Sequence, residues 1–476
     1  MPTRTVSLPA AAPTTLAGAI AELRTRLEIP ADFPPEVTTA AEAAARRPRL
    51  PELDRTALDL LTIDPPGARD LDQALHIGRS GSGYVVSYAI ADVAAFVAPG
   101  DPVDVEARRR GMTLYAPDVR TPLHPPALSE GAASLLADQV RPALLWTLQL
   151  DGRGELVEVD LVRALVRSRA QLTYEQAQDE IDGGGPREVL ALLVEVGRRR
   201  EELERDRGGV SLQIPAQEIE VDAAGRYTLT YRATLPVEGY NAQISLLTGM
   251  AAARLMLAGE VGVVRTLPAA ESGALRRLRR TAGALRIEWP AELAYPEFVR
   301  RLDPAIPSHA AMLNACTELF RGAGYTSFDG ELPADTRHAA LATDYAHVTA
   351  PLRRLVDRFA GEVCLALSAQ RNVPDWVRSA LPSLPELMAT AESRSKKYER
   401  AVIDLVEVSL LHDRVGSEFV GTVIDVESDG RRGVAMIADP AVQARVRGTD
   451  LPLGTEVRLR LESADFSTGR VEFVLI

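Results

Sequence analysis

The apolar pattern of this chain changes period twice, and no single-class fold accommodates both changes. From Leu60 to about Arg169 the sequence reads as strands. Tyr84–Ile90, Leu144–Leu150 and Leu156–Val166 are rich in β-branched and aromatic residues, with Pro99-Gly100 and Asp151-Gly152 as punctuation. From about 170 to 415 the period becomes helical, over Pro186–Asp206, Gln243–Leu257, Ala270–Leu285, His309–Arg321, Leu352–Ser368 and Leu384–His412. After Gly416 short strands return: Phe419–Val426, Gly433–Ile437, Gln443–Arg447, Glu456–Leu461 and Val471–Ile476. Strands followed by helices predict an α+β body, with helices segregated against a sheet. Five short strands with turns between them predict a small closed Greek-key barrel, the OB-fold.

Ahead of the first strands, Thr15–Leu27 places Leu16, Ile20, Leu23 and Leu27 at helical spacing, and Pro35–Arg47 reads as a second helix. Ile29-Pro30 and Phe33-Pro34-Pro35 separate the two. The 476 residues therefore divide into a small helical domain over 1–50, a mixed α+β domain over 51–413 and a β-barrel over 414–476. A helix-turn-helix is one arrangement that fits the first of these.

Apolar residues make up 46% and charged residues 25%, which suits a globular protein and excludes collagen-like, coiled-coil and disordered classes. No apolar run reaches the roughly 18 residues that span a bilayer, and the N-terminus has no apolar secretory core. A cytoplasmic protein without membrane partners is expected. Cys316 and Cys364 form no CxxC, which excludes a disulfide framework and a zinc ribbon. The six histidines include no pair at i,i+4, so no HExxH-type zinc site exists. The net charge of -12 is not what bulk electrostatics would choose for a nucleic-acid binder. Any nucleic acid must meet local basic surface, or cations set between carboxylates and phosphates. The runs Arg108–Arg110, Arg198–Arg200 and Arg277–Arg280 are candidates for such surface, although runs of this kind usually form solvated helix faces.

The most informative segment runs from Thr62 to Leu75. Asp64, Asp70 and Asp72 fall within nine residues around Pro65-Pro66-Gly67. Asp70 and Asp72 are two apart, so in an extended stretch they face the same way, and the turn folds Asp64 back toward them. Three carboxylates in one pocket repel unless a cation neutralises them. Hard oxygen ligands with no soft ligand nearby suit Mg²⁺ or Mn²⁺ and phosphoryl chemistry.

The segment resembles the signature of the RNB family, the exoribonucleases of the ribonuclease II and ribonuclease R type, whose motif reads T-I-D-x5-D-x-D-D-A-L. The likeness continues in order through Ala89-Ile-Ala-Asp92-Val93, Gly111-Met-Thr-Leu-Tyr115, Leu123-His-Pro-Pro-Ala-Leu-Ser129 with Ser134, Leu135 and Arg141, and His347-Val-Thr-Ala-Pro351-Leu-Arg353-Arg354 with Asp357 and Arg358. The tail resembles the RNA-binding OB-fold, of ribosomal-protein type, that ends many family members.

The resemblance implies a 3′→5′ exoribonuclease that threads single-stranded RNA through a narrow channel and releases nucleoside 5′-monophosphates. It implies Mg²⁺, with Mn²⁺ as an alternative, held by Asp64, Asp70, Asp72 and Gln73. Asp70 and Asp72 also stand as catalytic residues, beside Arg353 as the catalytic guanidinium. Tyr115 would stack on the 3′-terminal base, with Tyr174, Leu212 and Arg354 as further substrate contacts. A monomer is expected. Three departures stand out. Gln73 replaces an aspartate, Leu212 falls where a second clamp aromatic belongs, and Ser245 falls near an acidic position of a later helix. The first 50 residues do not hold the family's N-terminal cold-shock barrels, so selection for unstructured RNA is expected to differ. A catalytically weakened RNB-like RNA-binding protein is the competing reading. A hydrolase of small phosphate esters fits less well, because it leaves the terminal barrel and Tyr115 unexplained.

Overall fold

The structure is a computed structural model that describes residues 14–30, 32–115, 120–212, 216–221, 227–232 and 234–476. Two N-terminal helices, α1 (Thr14–Arg26) and α2 (Pro35–Arg46), precede a five-stranded sheet. Its strands are β1 (Leu60–Asp64), β2 (Gln73–Ser80), β3 (Gly83–Ala91), β4 (Val140–Leu150) and β5 (Leu156–Thr173), with helix α3 (Pro102–Arg110) between β3 and β4. The sheet closes into a barrel, which the strand periodicity alone does not reveal. Closure depends on β5. Its 18 residues are long enough to pair antiparallel with β4 and then parallel with β1, which sets Asp64 opposite Thr173.

Tyr84, Tyr88, Trp146 and Leu148 are buried in the core that this barrel shares with the helices. Each contributes about 1.5–3 kcal/mol by leaving water. The covering helices are α4 (Tyr174–Asp182), α5 (Glu188–Asp206), α6 (Pro236–Ala258) and α10 (Leu355–Ser368). A hairpin of β6 (Ala216–Val221) and β7 (Tyr227–Arg232) joins α5 to α6. A second antiparallel pair, β8 (Val261–Thr266) with β9 (Gly324–Asp329), carries an insertion between its strands. The insertion holds α7 (Ser272–Ala284), α8 (Tyr295–Arg300) and α9 (Pro307–Cys316), packed around Leu278, Phe298, Met312 and Cys316. The helix expected over His309–Arg321 stops at Cys316 and tightens into a 3₁₀ turn. Short strands β10 (Arg337–His338) and β11 (Thr343–Asp344) follow β9, and α11 (Asp375–Arg378) and α12 (Leu384–Leu411) follow α10.

The tail forms the expected closed barrel. Its strands are β12 (Glu418–Val426), β13 (Arg432–Ile437), β14 (Val442–Arg447), β15 (Glu456–Asp465) and β16 (Arg470–Leu475), in the order β12-β13-β14-β16-β15. The two N-terminal helices do not share a core. Leu16, Ile20 and Leu23 of α1 pack with Tyr398, Val402 and Leu405 of α12 and with the tail barrel, whereas Val37 and Ala41 of α2 pack on the first barrel. Each apolar stripe is too narrow to form a core with the other and instead completes a larger one.

The three arginine runs are largely committed inside the molecule. Arg109 and Arg110 pair with Glu106, and Arg108 pairs with Asp104. Arg199 pairs with Glu195, and the buried Arg200 donates to the Gly154 carbonyl at 2.9 Å. Arg279 donates to the carbonyls of Trp289, Pro290, Ala291 and Leu293, and Arg277 pairs with Glu318.

Candidate active site

The carboxylates stand where β1 leaves the barrel and β2 enters it. Asp64 ends β1. The chain then turns over Pro65–Ala68, closed by the Ala68 N–H donating to the Pro65 carbonyl at 3.2 Å. Gly67 sits at φ +75°, which a residue with a side chain adopts only under strain. Past the turn, the Ser134 hydroxyl accepts from Leu71 N at 2.9 Å and donates to the Arg69 carbonyl at 2.6 Å. Leu71 is fully buried in the packing beneath the barrel. With Leu71 pointing into apolar packing, Asp70 and Asp72 face the opposite way together.

Asp72 is 5% exposed. Its Oδ1 accepts from Leu352 N at 2.8 Å, and its Oδ2 lies 3.3 Å from Arg353 Nε. Asp70 forms an ion pair with Arg120, whose guanidinium also holds Glu130. Oδ2 of Asp64 is buried without a hydrogen-bond partner among the described residues. Burial pushes Asp64 up to about 7, against the Thr62 hydroxyl and then Arg353, and Asp72 up to about 8, against Arg353 and then the Leu352 N–H, and Asp70 adds repulsion to each. Burial raises Asp70 too, against the pull of Arg120.

Arg353 and Tyr115 are fastened to each other through backbone. The Thr113 N–H donates to the Arg353 carbonyl at 2.9 Å, and the Leu355 N–H donates to the Gly111 carbonyl at 3.0 Å. Gly111 ends α3 at φ +72°, where a Cβ would lie 2.5 Å from the Cβ of Ala391. Leu114 and Thr121 exchange both backbone hydrogen bonds at 2.9 Å, which brings Tyr115 and Arg120, their chain neighbours, close to each other. The Tyr115 hydroxyl is buried without a partner among the described residues. Burial raises its pKa, followed by the charge of Asp70, while Arg353 and Arg120 oppose. Tyr174 starts α4 directly after β5, and burial and then Asp64 push its hydroxyl up to about 12.

Three expected residues have other engagements. Gln73, expected among the metal ligands, uses both ends of its amide on the protein: Oε1 accepts from the Tyr88 hydroxyl at 2.5 Å, and Nε2 donates to the Thr349 carbonyl at 2.7 Å. Arg354, expected to touch substrate, forms a two-pronged pair with the buried Asp357 at 2.8 and 2.9 Å. Leu212 is half-buried and packs against the cluster of α7–α9. Ser245, by contrast, does reach this neighbourhood, with its hydroxyl 2.8 Å from Thr349 Oγ1. Arg120, Tyr88 and Thr349 were not foreseen. Arg120 follows Tyr115 in a stretch of sequence with no recognisable period, and Tyr88 meets Gln73 only through the β2–β3 register.

Residues 53–362, more than half of the chain, match the model of the RNB domain. The chain belongs to the RNB family. Residues 417–476 match the RNase II-type exonuclease C-terminal S1 domain. Ribonuclease R of Escherichia coli is 27% identical over 515 residues, which cover 95% of this chain and 61% of that protein. The chain thus spans about three fifths of that relative's length. Among solved structures, Mycoplasma genitalium RNase R in complex with ribose methylated single-stranded RNA superposes with a TM-score of 0.86 at 18% identity, over 97% of this chain and 78% of that one. Yeast Ssd1, a pseudonuclease, superposes with a TM-score of 0.66 at 15% identity, over 98% and 54%. At these identities the superpositions establish the RNB fold.

Among the described residues, no three Asp, Glu, His or Cys side chains are gathered closely enough to hold a metal ion as they stand. The donors nevertheless fit a hard divalent cation in kind. Asp64 presents a buried carboxylate oxygen with no partner, and Asp70 repels both neighbouring carboxylates.

Proposed function

We propose that the chain hydrolyses single-stranded RNA from its 3′ end, one nucleoside 5′-monophosphate at a time, as a monomeric cytoplasmic enzyme. The observation that carries this reading is the convergence of Asp72 with the Leu352-Arg353 segment, whose Leu352 N–H lies 280 positions away in sequence and whose Arg353 guanidinium stands 3.3 Å from the carboxylate, beside the unpartnered oxygen of Asp64. Asp64, Asp70 and Asp72 hold Mg²⁺ or Mn²⁺. When bound there, the ion polarises the phosphate and makes water a better nucleophile at neutral pH. Arg353 donates to the phosphoryl oxygens, where charge builds as the water adds and the 3′ oxygen of the shortened chain leaves. Tyr115 stacks on the terminal base and accepts any base, since every base has a π-face. Tyr174 bounds the pocket on the Asp64 side, and Leu212 is left with packing.

Family membership and the likeness to ribonuclease R support the activity, and the S1-type tail supports an RNA substrate. No helix among the described residues is long and apolar enough to cross a membrane. The test uses 5′-labelled oligoadenylate with the purified chain and Mg²⁺ or Mn²⁺. A ladder shortening from the 3′ end, with mononucleotide release, is expected. A gel shift without degradation would move the chain to the RNA-binding reading.

A further inference from the structure

Each carboxylate of the site has a different neighbour. Asp72 has Arg353, Asp70 has Arg120, and the oxygen of Asp64 has none among the described residues. Arg120 is not a chance surface arginine. Its side chain is 23% exposed, its second nitrogen is anchored by Glu130, and its backbone sits next to the Leu114–Thr121 bridge. Glu130 is itself set in the short π-helical turn Leu128–Ala132, whose Gly131 carbonyl accepts from Arg141 at 3.2 Å. The guanidinium is therefore held from behind and presented to Asp70. Its charge also reaches the Tyr115 hydroxyl, on the face where a terminal nucleotide would lie.

Gln73 adds the complementary half. Where an acidic ligand would add a negative charge, this chain has a neutral amide tied to Tyr88 and Thr349. Among the described residues, four carboxylates (Asp64, Asp70, Asp72 and Glu130) face two guanidiniums (Arg120 and Arg353), which leaves two negative charges once all are ionised. Arg354 and Asp357 cancel each other. One divalent ion balances the remainder in the RNA-free site. Phosphoryl-transfer sites with two ions use the second to steady charge on the attacking and leaving oxygens. A guanidinium fixed beside the phosphate supplies charge and hydrogen bonds there without a second ion.

Building on the exonuclease reading, we propose that Arg120 takes the place of a second metal ion, so that this active site runs on one divalent cation and two guanidiniums. Arg120 then contacts Asp70 and the phosphate of the terminal nucleotide together, and Gln73 keeps the vacated ligand position neutral.

The test counts metal ions independently of turnover. The full chain is titrated with Mn²⁺ and followed by electron paramagnetic resonance, alone and with excess 2′-O-methyl oligoadenylate. The wild type is expected to bind one Mn²⁺ per chain. Arg120→Gln together with Gln73→Asp is expected to bind two. In cleavage assays the wild-type rate rises with the first power of Mn²⁺ concentration. Arg120→Gln loses about 10²–10³-fold in rate and recovers part of it at high Mn²⁺ with a steeper dependence. Arg120→Lys, which keeps the charge, retains the first-power dependence and guards against a folding defect in the glutamine variant. Two Mn²⁺ per wild-type chain would overturn the proposal, and so would an Arg120→Gln variant with unchanged rate and unchanged Mn²⁺ dependence. A wild type that binds one Mn²⁺ but cleaves no RNA would sink the exonuclease reading and leave the single-ion proposal standing on the count.

Discussion

The molecule contains two closed five-stranded barrels, and each closes through a single parallel pair, β1 with β5 and β14 with β16. They differ in what covers them. In the first barrel, all but one residue of β3 are buried, because helices wrap its outer surface. In the tail barrel, β14 and β15 alternate, with Leu459 and Leu461 inward and Arg458, Arg460 and Glu462 outward. A strand covered on both faces can deliver a carboxylate such as Asp64 into a place with little water. A strand with one face in solvent can only display charge. On the proposed reading, chemistry belongs to the first barrel and surface contact to the second, although strand number and closure are alike.

The sharpest way to break that contrast is to make the same change in each barrel. Asp72→Asn is expected to lower single-turnover cleavage by at least about 10²–10³-fold, while gel shifts show RNA binding retained. The amide removes a charge that would help hold the cation, but it also removes repulsion of phosphates. Asp465→Asn, at the exposed end of β15, is expected to leave cleavage unchanged. Equal losses from the two variants would mean that the contrast has no functional content. A smaller effect is expected at Tyr115. Loss of one stacked base is worth roughly 1–3 kcal/mol, so Tyr115→Ala is expected to stop digestion at longer end products, read on a sequencing gel. Unchanged product lengths would reduce Tyr115 to a packing residue.

How much was legible in the sequence follows the same division. The tail barrel could be read almost strand by strand, because amphipathic strands carry a period of two. The bend at Pro65–Ala68 and the shared face of Asp70 and Asp72 were legible for the same local reason. Arg353 was legible only through its motif. Barrel closure was not legible, because the β1–β5 pairing joins Leu61 to Ala170 and no local pattern encodes it. Nor was the destination of α1, whose Arg24 donates to the Tyr398 hydroxyl and to Thr121 Oγ1, both at 3.1 Å. Those contacts tie the first helix to α12 across 374 positions and to Thr121, next to Arg120, across 97. The neighbours of Gln73 and Arg354 were hidden for a related reason. A polar side chain near a site reads the same in sequence whether it faces a ligand or a protein partner.

The two barrels should also respond differently to pH. Burial pushes Asp64 and Asp72 up to about 7 and about 8 from an ordinary 3.8. The folded state therefore keeps protons that the unfolded chain has released, and stability falls as pH rises from about 4 through about 8. His124 and His338, held down to about 3 and about 4 by burial, act the other way below pH 6.5. The net expectation is a loss of a few °C in melting temperature between about pH 6.5 and 8.5, removed by Mn²⁺ and reduced in Asp72→Asn. In the tail barrel, hydrogen bonds lower the pKa of Asp429 and Asp465, so their contribution is lost only as pH falls through those lowered values. A metal-free chain whose melting temperature is level from pH 6.5 to 8.5 would contradict the buried-carboxylate half of the comparison.

The smallest effect tests the other half. Arg445 and Arg460 are exposed on β14 and β15, whereas Arg447 and Arg458 are already paired with Glu462 and Glu418. If the tail barrel meets RNA through displayed charge, Arg445→Ala and Arg460→Ala should each weaken binding a few-fold and make the slope of log affinity against log salt shallower by about 0.7. Removing residues 416–476 is a poorer test than these single changes, because the barrel shares a core with α1 and α12 and its loss would expose Val402, Leu405 and Leu411. Point changes leave that core intact and isolate the electrostatics. Unchanged slopes in both variants would assign the tail barrel a packing role beneath α12 and place RNA capture within the first barrel and its helices.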